Sequence, residues 1–491
     1  MPEPSLNAGA DFLHLDVGQA PPGGRATWLA DRLRRAIADG VVPIGSRLPA
    51  SRTLAADLGV SRGVVVEAYQ RLMEDGHVAG RGRAGTVVVA SALTVTTTAA
   101  APRAAAPPAR EADPAAVFRS APGTDVFDTV RTIPARIDLT PGVPDLAAFP
   151  RAAWMRAEKA VLGRLVAADL GYGDPCGTPA LRRAVAGWLA RSRGIGVDPA
   201  EVIITTGVSQ ALGLLAQALR ADGVSTVGVE DPGSLGVRQH LDNWRLTTVP
   251  IPVDAAGVRV DELAASGVPA VMLTPAHQFP TGAVLDGERR RQLAAWTRTG
   301  GLVIEDDYDA EHRYDRPPVP ALRATLPERV CYAGSVSKLL APALRIGWLL
   351  VPRRYRDAVV AAKRNADLGN AVLPQLVLAE LITSGAFERQ LRLLRQRHVR
   401  RRDAMTAALA RHLPEATVHG AAAGLHLMVT LDGDVVDTEL AAAALARGVK
   451  VQPLSWHCLR PNRPGLVLGY AANTASAIDA GIATVAAVRR G

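Results

Sequence analysis

Between Val202 and Pro352, six short apolar runs alternate with amphipathic stretches, and no other feature constrains the fold of this chain as strongly. The runs are VIITTG (202–207), STVGVED (225–231), AVMLTP (270–275), GLVIEDD (301–307), RVCYAGSVS (329–337) and LRIGWLLVP (344–352). Strands this uniformly apolar are buried on both faces, and stretches such as LDGERRRQLAAWTRTG between them have helical spacing. A mainly parallel sheet with helices on either side satisfies both demands, giving a three-layer α/β domain. Further on the pattern changes. GLHLMVTLDG and VKVQPLS read as strands flanked by alanine-rich helices, a smaller α+β domain.

The N-terminal part follows a different plan. In WLADRLRRAIA, Leu29, Leu33 and Ile37 recur at helical spacing, and Gly40 ends the helix. Pro43, Gly45 and Pro49 mark a loop. A second helix starts at Ser51 and breaks at Gly59, and a third starts at Ser61, a good N-cap, and runs to Gly76. HVAGRGRAGTVVV then reads as two short strands around a Gly/Arg turn. Two short helices joined through a glycine have helix-turn-helix spacing, which would lay the third helix in a DNA major groove. Arg62 sits at its N-terminal end, Arg47 and Arg52 flank the second helix, and Arg81 and Arg83 lie on the turn, placed for phosphate or base contacts. Residues 25–90 hold ten arginines against six acids, a balance suited to a polyanion.

Between these regions, TTTAAAPRAAAPPAREADPAA has almost no large apolar residues and reads as a solvated linker. The expected partition is an N-terminal segment 1–24, a winged helix-turn-helix 25–90, a linker 91–130 and an α/β plus α+β domain 131–491. The chain has 491 residues with 48% hydrophobic and 21% charged, which excludes a wholly disordered protein. No apolar run is long enough to span a bilayer, and the N-terminus lacks a signal-peptide pattern, so a cytoplasmic location without membrane contact is expected. The three cysteines, Cys176, Cys331 and Cys458, are odd in number and far apart, which predicts reduced thiols and no metal site.

Four motifs fall at the carboxyl ends of predicted strands, where open α/β sheets bind ligands. Gly207, Val208 and Ser209 open a helix whose N-terminal N–H groups suit a phosphate. TPAHQFPTG (274–282) is too elaborate for a plain linker. EDDY (305–308) ends an apolar strand on carboxylates, and a buried carboxylate needs a cationic partner such as a protonated ring nitrogen. Ser335, Ser337 and Lys338 are followed by Arg345. A desolvated lysine can form a Schiff base with a carbonyl cofactor, and two serines with an arginine can bind a phosphate monoester. The net charge is +9, yet only four of the 56 basic residues are lysine, Lys159, Lys338, Lys363 and Lys450, so lysine chemistry has few candidates.

PIGSRLPASRTLAADLGVSRGVVVEAYQRLMEDGHVAGRGRAGT closely resembles the winged helix of GntR-type bacterial regulators. The later motifs together resemble fold-type I aminotransferases, which use pyridoxal phosphate. TPAHQFPTG and EDDYDAEHRYD look specifically like the MocR subfamily, in which a GntR-type winged helix precedes an aminotransferase-like domain. That resemblance implies a transcription regulator binding a double-stranded operator through Arg47, Arg52, Ser61, Arg62, Arg81 and Arg83. It also implies a homodimer and a small-molecule effector, either pyridoxal phosphate or an amino compound. Lys338 would carry the cofactor. Asp306 would pair with its ring nitrogen, Asp307 being the fallback, and Tyr308 would bond the ring hydroxyl. Gly207, Val208, Ser209, Ser335, Ser337 and Arg345 would hold the phosphate, with Tyr172 reaching the phosphate of the partner subunit. The implied targets are genes of vitamin B6 or amino-acid and amine metabolism.

Three positions depart from the family pattern. Gly63 stands where a base-facing side chain is usual, and Ser234 where an aromatic residue often stacks on the cofactor, with His277 or Phe279 as replacements. Arg460 and Arg463 are near, but not in register with, the arginine that grips a substrate carboxylate. That arginine separates a regulator from the rival reading, a working aminotransferase with an accessory DNA-binding module.

Overall fold

The computed structural model describes residues 17–21, 24–39, 41–80, 85–89, 114–314 and 319–490. Two compact units divide between Glu111 and Ala112.

In the first unit, α1 (Arg25–Ala38), α2 (Ser51–Asp57) and α3 (Arg62–Glu74) are followed by an antiparallel pair, β1 (Val78–Gly80) and β2 (Thr86–Val88). The periodic Leu29, Leu33 and Ile37 of α1 bury against Val65, Tyr69 and Leu72 of α3, and Leu54 of α2 closes the same core. Each such side chain removed from water contributes about 1.5–3 kcal/mol. The Tyr69 hydroxyl donates to the Pro49 carbonyl at 2.8 Å and pins the loop before α2. Gly59 turns α2 into α3 with φ of +62°, and Ser61 occupies the N-cap of α3 without a side-chain cap bond. The turn expected to carry Arg81 and Arg83, and Gly40 after α1, lie outside the described residues.

The second unit opens with α4 (Ala116–Arg119) and α5 (Val126–Thr132). This corrects the linker expectation for the C-terminal part of 91–130. Ala115, Phe118, Val126 and Val130 are buried in the core that also holds Leu427 and Trp456. The alanines and prolines dominate the composition, but those few apolar residues find a partner surface and offset the ordering cost.

After β3 (Ile137–Asp138) come α6 (Arg151–Leu162), α7 (Pro179–Arg193), β4 (Ile203–Thr205) and α8 (Val208–Ala221). The remaining large-sheet strands are β5 (Thr226–Asp231), β6 (Thr247–Asp254), β7 (Gly257–Val258), β8 (Ala270–Leu273), β9 (Leu302–Asp307), β10 (Val330–Ser335) and β11 (Gly347–Leu350). Their order is β4-β11-β10-β9-β8-β5-β6-β7. β6, β5, β8, β9 and β10 run parallel, whereas β11 is antiparallel to both its neighbours and β7 to β6. Both faces are covered, as the apolar runs require. Ile204, Tyr332 and Trp348 pack on one side with residues of α7, and Ile203, Cys331 and Leu349 on the other with residues of α8.

The smaller subdomain carries an antiparallel sheet of β12 (Thr417–His419), β13 (His426–Thr430), β15 (Gln452–Pro453) and β16 (Gly465–Gly469), ordered β12-β13-β16-β15. β14 (Val449–Lys450) instead pairs with β3 and ties the start of the unit to its end. Among the described residues no helix is long and apolar enough to cross a membrane.

Candidate functional site

A cavity of about 320 Å³ opens at the carboxyl ends of β5, β8, β9 and β10, the edge where parallel sheets bind ligands. Lys338, Asp306 and Tyr308 all face it. Of the other lysines, Lys363 pairs with Asp367 at 3.0 Å, Lys450 with Asp138 at 3.3 Å, and Lys159 is exposed. Lys338 Nζ donates to the Gly142 carbonyl. Burial holds this amine below its ordinary proton affinity, against the opposing pull of the Asp306 and Asp309 carboxylates. A lysine so placed is neutral, and hence nucleophilic, at lower pH than a free one.

Side chains alternate across a strand, so the three acids that end β9 separate by face. Glu305 turns from the cavity and accepts the Leu322 and Arg323 amides, each at 3.0 Å. Asp307 likewise accepts from Arg193 Nε at 2.5 Å and from the Tyr332 hydroxyl at 2.6 Å. This corrects the fallback assignment, because Asp307 already has its cation within the protein. Asp306 between them faces the cavity, and its buried Oδ1 has no hydrogen-bond partner. Burial pushes its acid up to about 7, with Asp307 and Asp309 adding to the shift. An unpartnered buried oxygen at this place fits the protonated ring nitrogen of pyridoxal phosphate.

Tyr308 is oriented by a short chain. His277 Nδ1 lies 2.8 Å from Asp309 Oδ2 and 3.0 Å from the Tyr308 hydroxyl, which donates to the His277 carbonyl at 3.0 Å. His277, one of the two suggested replacements for the missing aromatic, thus serves Tyr308 and is not a cavity wall. Phe279, the other, does line the cavity.

Beside Lys338, strand register gathers the expected phosphate residues. Ser335 pairs with Gly347 across β10 and β11, and Gly347 with Thr205 of β4. Gly207 caps α8 at φ +95°, which favours glycine there, and a Cβ on Gly347 would stand 2.9 Å from its Cα, so the close approach needs glycine at 347. The Arg345 guanidinium lies over Gly207, with the Thr206 carbonyl as acceptor, and the Ser337 amide donates to Ser335 Oγ at 3.3 Å. Arg345, Ser335, Ser337 and the start of α8 at Val208 and Ser209 therefore converge. Tyr172 stands apart, 96% exposed, and does not line the cavity.

The expectation for the effector carboxylate is corrected. Arg463 pairs with Asp432 on the surface, and Arg460 donates to the Pro250 carbonyl at 3.2 Å. Neither lines the cavity, because β16 starts only at Gly465 and both arginines precede it in a loop. Among the described residues that line the cavity there is no arginine. Its two histidines, His426 and His457, are pushed down to about 3 by burial and stay neutral. Sequence reasoning missed Glu230, whose Oε2 accepts the Thr274 amide at 3.0 Å and hydroxyl at 2.7 Å, and which burial raises to about 7. A carboxylate near the end of an apolar strand, as at Glu305, was the available signal. It also missed Phe127, which lay hidden in the supposed linker.

In the first unit, Arg47, Arg52, Ser61 and Arg62 are all exposed, and Arg62 Nε lies 3.4 Å from Ser51 Oγ, joining the starts of α2 and α3.

Comparison with known proteins places both units. Residues 136–479 match the family described as aminotransferase class I and II, and residues 26–88 that of bacterial regulatory proteins, gntR family. The chain is 33% identical to the probable rhizopine catabolism regulatory protein MocR of Rhizobium meliloti, over 90% of this chain and 89% of that protein. It is 31% identical to the HTH-type pyridoxine biosynthesis transcriptional regulator PdxR of Corynebacterium glutamicum, over 90% and 91%. Among solved structures, the kynurenine aminotransferase of Pyrococcus horikoshii, in complex with PMP, matches with a TM-score of 0.68 at 27% identity, covering 74% of this chain and 93% of that one.

Proposed function

The chain belongs to the aminotransferase class I and II family and, through its gntR-family domain, to the MocR subfamily of DNA-binding transcription regulators, and from that premise we propose how it senses its ligand. The proposed cofactor is pyridoxal phosphate, held by Lys338. When bound, it supplies an electron-accepting ring and an aldehyde that condenses with primary amines. Lys338 offers an amine that burial makes easier to deprotonate, Asp306 an acceptor for the ring nitrogen, and Tyr308, steadied by His277 and Asp309, a hydroxyl at the ring oxygen. Ser335, Ser337, Arg345 and the α8 start at Gly207, Val208 and Ser209 take the phosphate. Tyr172 is left to serve the other protomer of a homodimer. The winged helix, residues 25–90, reads the operator through Arg62 and Ser61, with Arg47 and Arg52 on the backbone.

The observation that carries the choice of effector is the absence of arginine among the described cavity residues. An amino-acid carboxylate there would meet neutral histidines and two buried acids, and a desolvated charge without a partner binds poorly. We therefore assign pyridoxal phosphate itself as the effector and vitamin B6 metabolism as the regulated process, in keeping with the PdxR relative. A working aminotransferase is not favoured.

The test is the visible absorption of purified protein titrated with pyridoxal phosphate, beside Lys338→Ala, with borohydride reduction and peptide mapping. Operator affinity is measured in parallel. A visible band fixed to Lys338, with operator affinity changed by pyridoxal phosphate and unchanged by further γ-aminobutyrate, supports the reading. A response that requires the amino acid overturns the effector assignment, and no band overturns the cofactor assignment.

A further inference from the structure

The segment around α4 and α5 is bound to both parts of the second unit. Gln239 Nε2, on the helix Leu235–Asn243, donates to the Gly123 carbonyl at 2.7 Å. Arg119 pairs with Glu439 of the smaller subdomain at 3.3 Å. Phe118 stacks on Trp456 at 5.2 Å between ring centroids, and Phe127 meets the same indole edge-on at 6.4 Å. Phe118 is fully buried, whereas Phe127 has a second face, and that face is a wall of the cavity.

Ser234 and Gly236 belong to the same wall. Ser234 spends its hydroxyl on its own helix, accepting the Val237 amide at 3.3 Å, and offers no ring to a ligand. A Cβ on Gly236 would stand 3.4 Å from Phe127 Cε2, so the phenyl ring rests against the backbone two residues beyond Ser234. One turn on, Arg131 shares the Phe127 side of α5 and is close enough to act on the charge of Lys338.

We infer that Phe127 supplies the aromatic contact to the ring of the bound cofactor that Ser234 cannot, and that the α4–α5 segment thereby reads whether the cavity is filled. This rests on the assignment of pyridoxal phosphate to Lys338. An aromatic residue is well suited to the flat face of a pyridine ring. Its place in the chain gives the contact a second consequence. Phe127 is carried by the first described stretch after residues 90–113, the run that joins this unit to the winged helix. A contact at Phe127 falls on α5, the helix that follows that run after α4. The differential contact that a ligand-driven change in DNA affinity requires is then made on the connecting segment itself.

The experiment uses the full chain with pyridoxal phosphate as probe and three readouts: affinity from the visible band, visible circular dichroism of the bound cofactor, and operator affinity with and without cofactor. Phe127→Leu keeps apolar volume against Trp456, and Phe127→Ala removes the side chain. Phe118→Leu disturbs the same indole without touching the cavity, and Phe279→Leu removes the other aromatic wall. Both Phe127 variants should bind pyridoxal phosphate more weakly, by about fivefold. They should also alter the dichroism and blunt the operator response, while Phe118→Leu leaves the dichroism unchanged. Wild-type dichroism and operator response in both Phe127 variants overturn the inference, as does loss of dichroism with Phe279→Leu alone. If wild-type protein forms no band, the cofactor assignment falls with it; a normal band with insensitive Phe127 variants overturns this inference alone.

Discussion

Adjacent carboxylates at the end of β9 differ in whether the protein itself supplies a cation. Asp307 accepts from Arg193 and Tyr332 through Oδ2, leaving only its Oδ1 without a partner, whereas Asp306, one residue earlier, faces the cavity with a buried Oδ1 that has none. In the cofactor-free protein Asp306 titrates at about 7, well above the ordinary carboxylate value, so folding takes up a proton between those two points. Its contribution to stability therefore declines as pH rises through that window and is fully unfavourable above it. Asp306→Asn should stabilise the cofactor-free chain by about 1–3 kcal/mol in urea unfolding at pH 8, with the gain fading towards pH 4. The same variant should lose most of its affinity for pyridoxal phosphate, because the ring nitrogen loses its anionic partner. Lys338 is shifted the opposite way, so the rate of cofactor attachment, followed by stopped-flow absorbance, should level off at lower pH than with free lysine.

At the scale of elements, two short helices show how little sequence is needed to specify a structure and how easily the signal is masked. α3 carries Gly63 in its first turn at an ordinary helical φ, with only Ser61 Oγ at 3.8 Å from where a Cβ would stand. Nothing there requires glycine. Gly63→Ala should stabilise the winged-helix transition by about 0.5–1 kcal/mol in urea unfolding of the full chain, and a destabilised variant would contradict that account. α5 is the reverse case. Val126 and Val130 lie one helical turn apart, which is an apolar stripe, but the preceding alanines and prolines give the whole stretch the composition of a solvated linker. Composition reports the average of a segment, whereas burial depends on a few residues meeting a complementary surface.

For the molecule as a whole, the expected behaviour is that of two units coupled through one chain connection. Operator binding should weaken steeply with added salt, since released counterions supply much of the affinity. Arg62→Ala should lower operator affinity by about 1–3 kcal/mol and narrow the gap between operator and unrelated DNA, measured by fluorescence anisotropy. Arg52→Ala should weaken both about equally. In Lys338→Ala, basal operator binding should persist while its dependence on pyridoxal phosphate disappears. A variant that loses DNA binding altogether would place Lys338 in folding and not in sensing.

Much of this protein is determined locally and is legible in the chain alone. Apolar runs bounded by helical periods specify the doubly covered sheet, and the glycine-jointed helices specify the winged helix. A scarce lysine after a strand, followed by Arg345, marks the cavity. These signals act between residues close in sequence, where the backbone has few options. Tertiary structure decided which of the adjacent acids at 306 and 307 faces the cavity, since strand alternation separates them without saying which side that is. It decided that Arg460 and Arg463 stay outside, because the register of β16 is set by its pairing with β13. It also brought Phe127 to Ser234 and Gly236, across more than a hundred residues, because apolar surfaces from distant elements bury one another wherever their shapes agree, and no local pattern encodes that meeting.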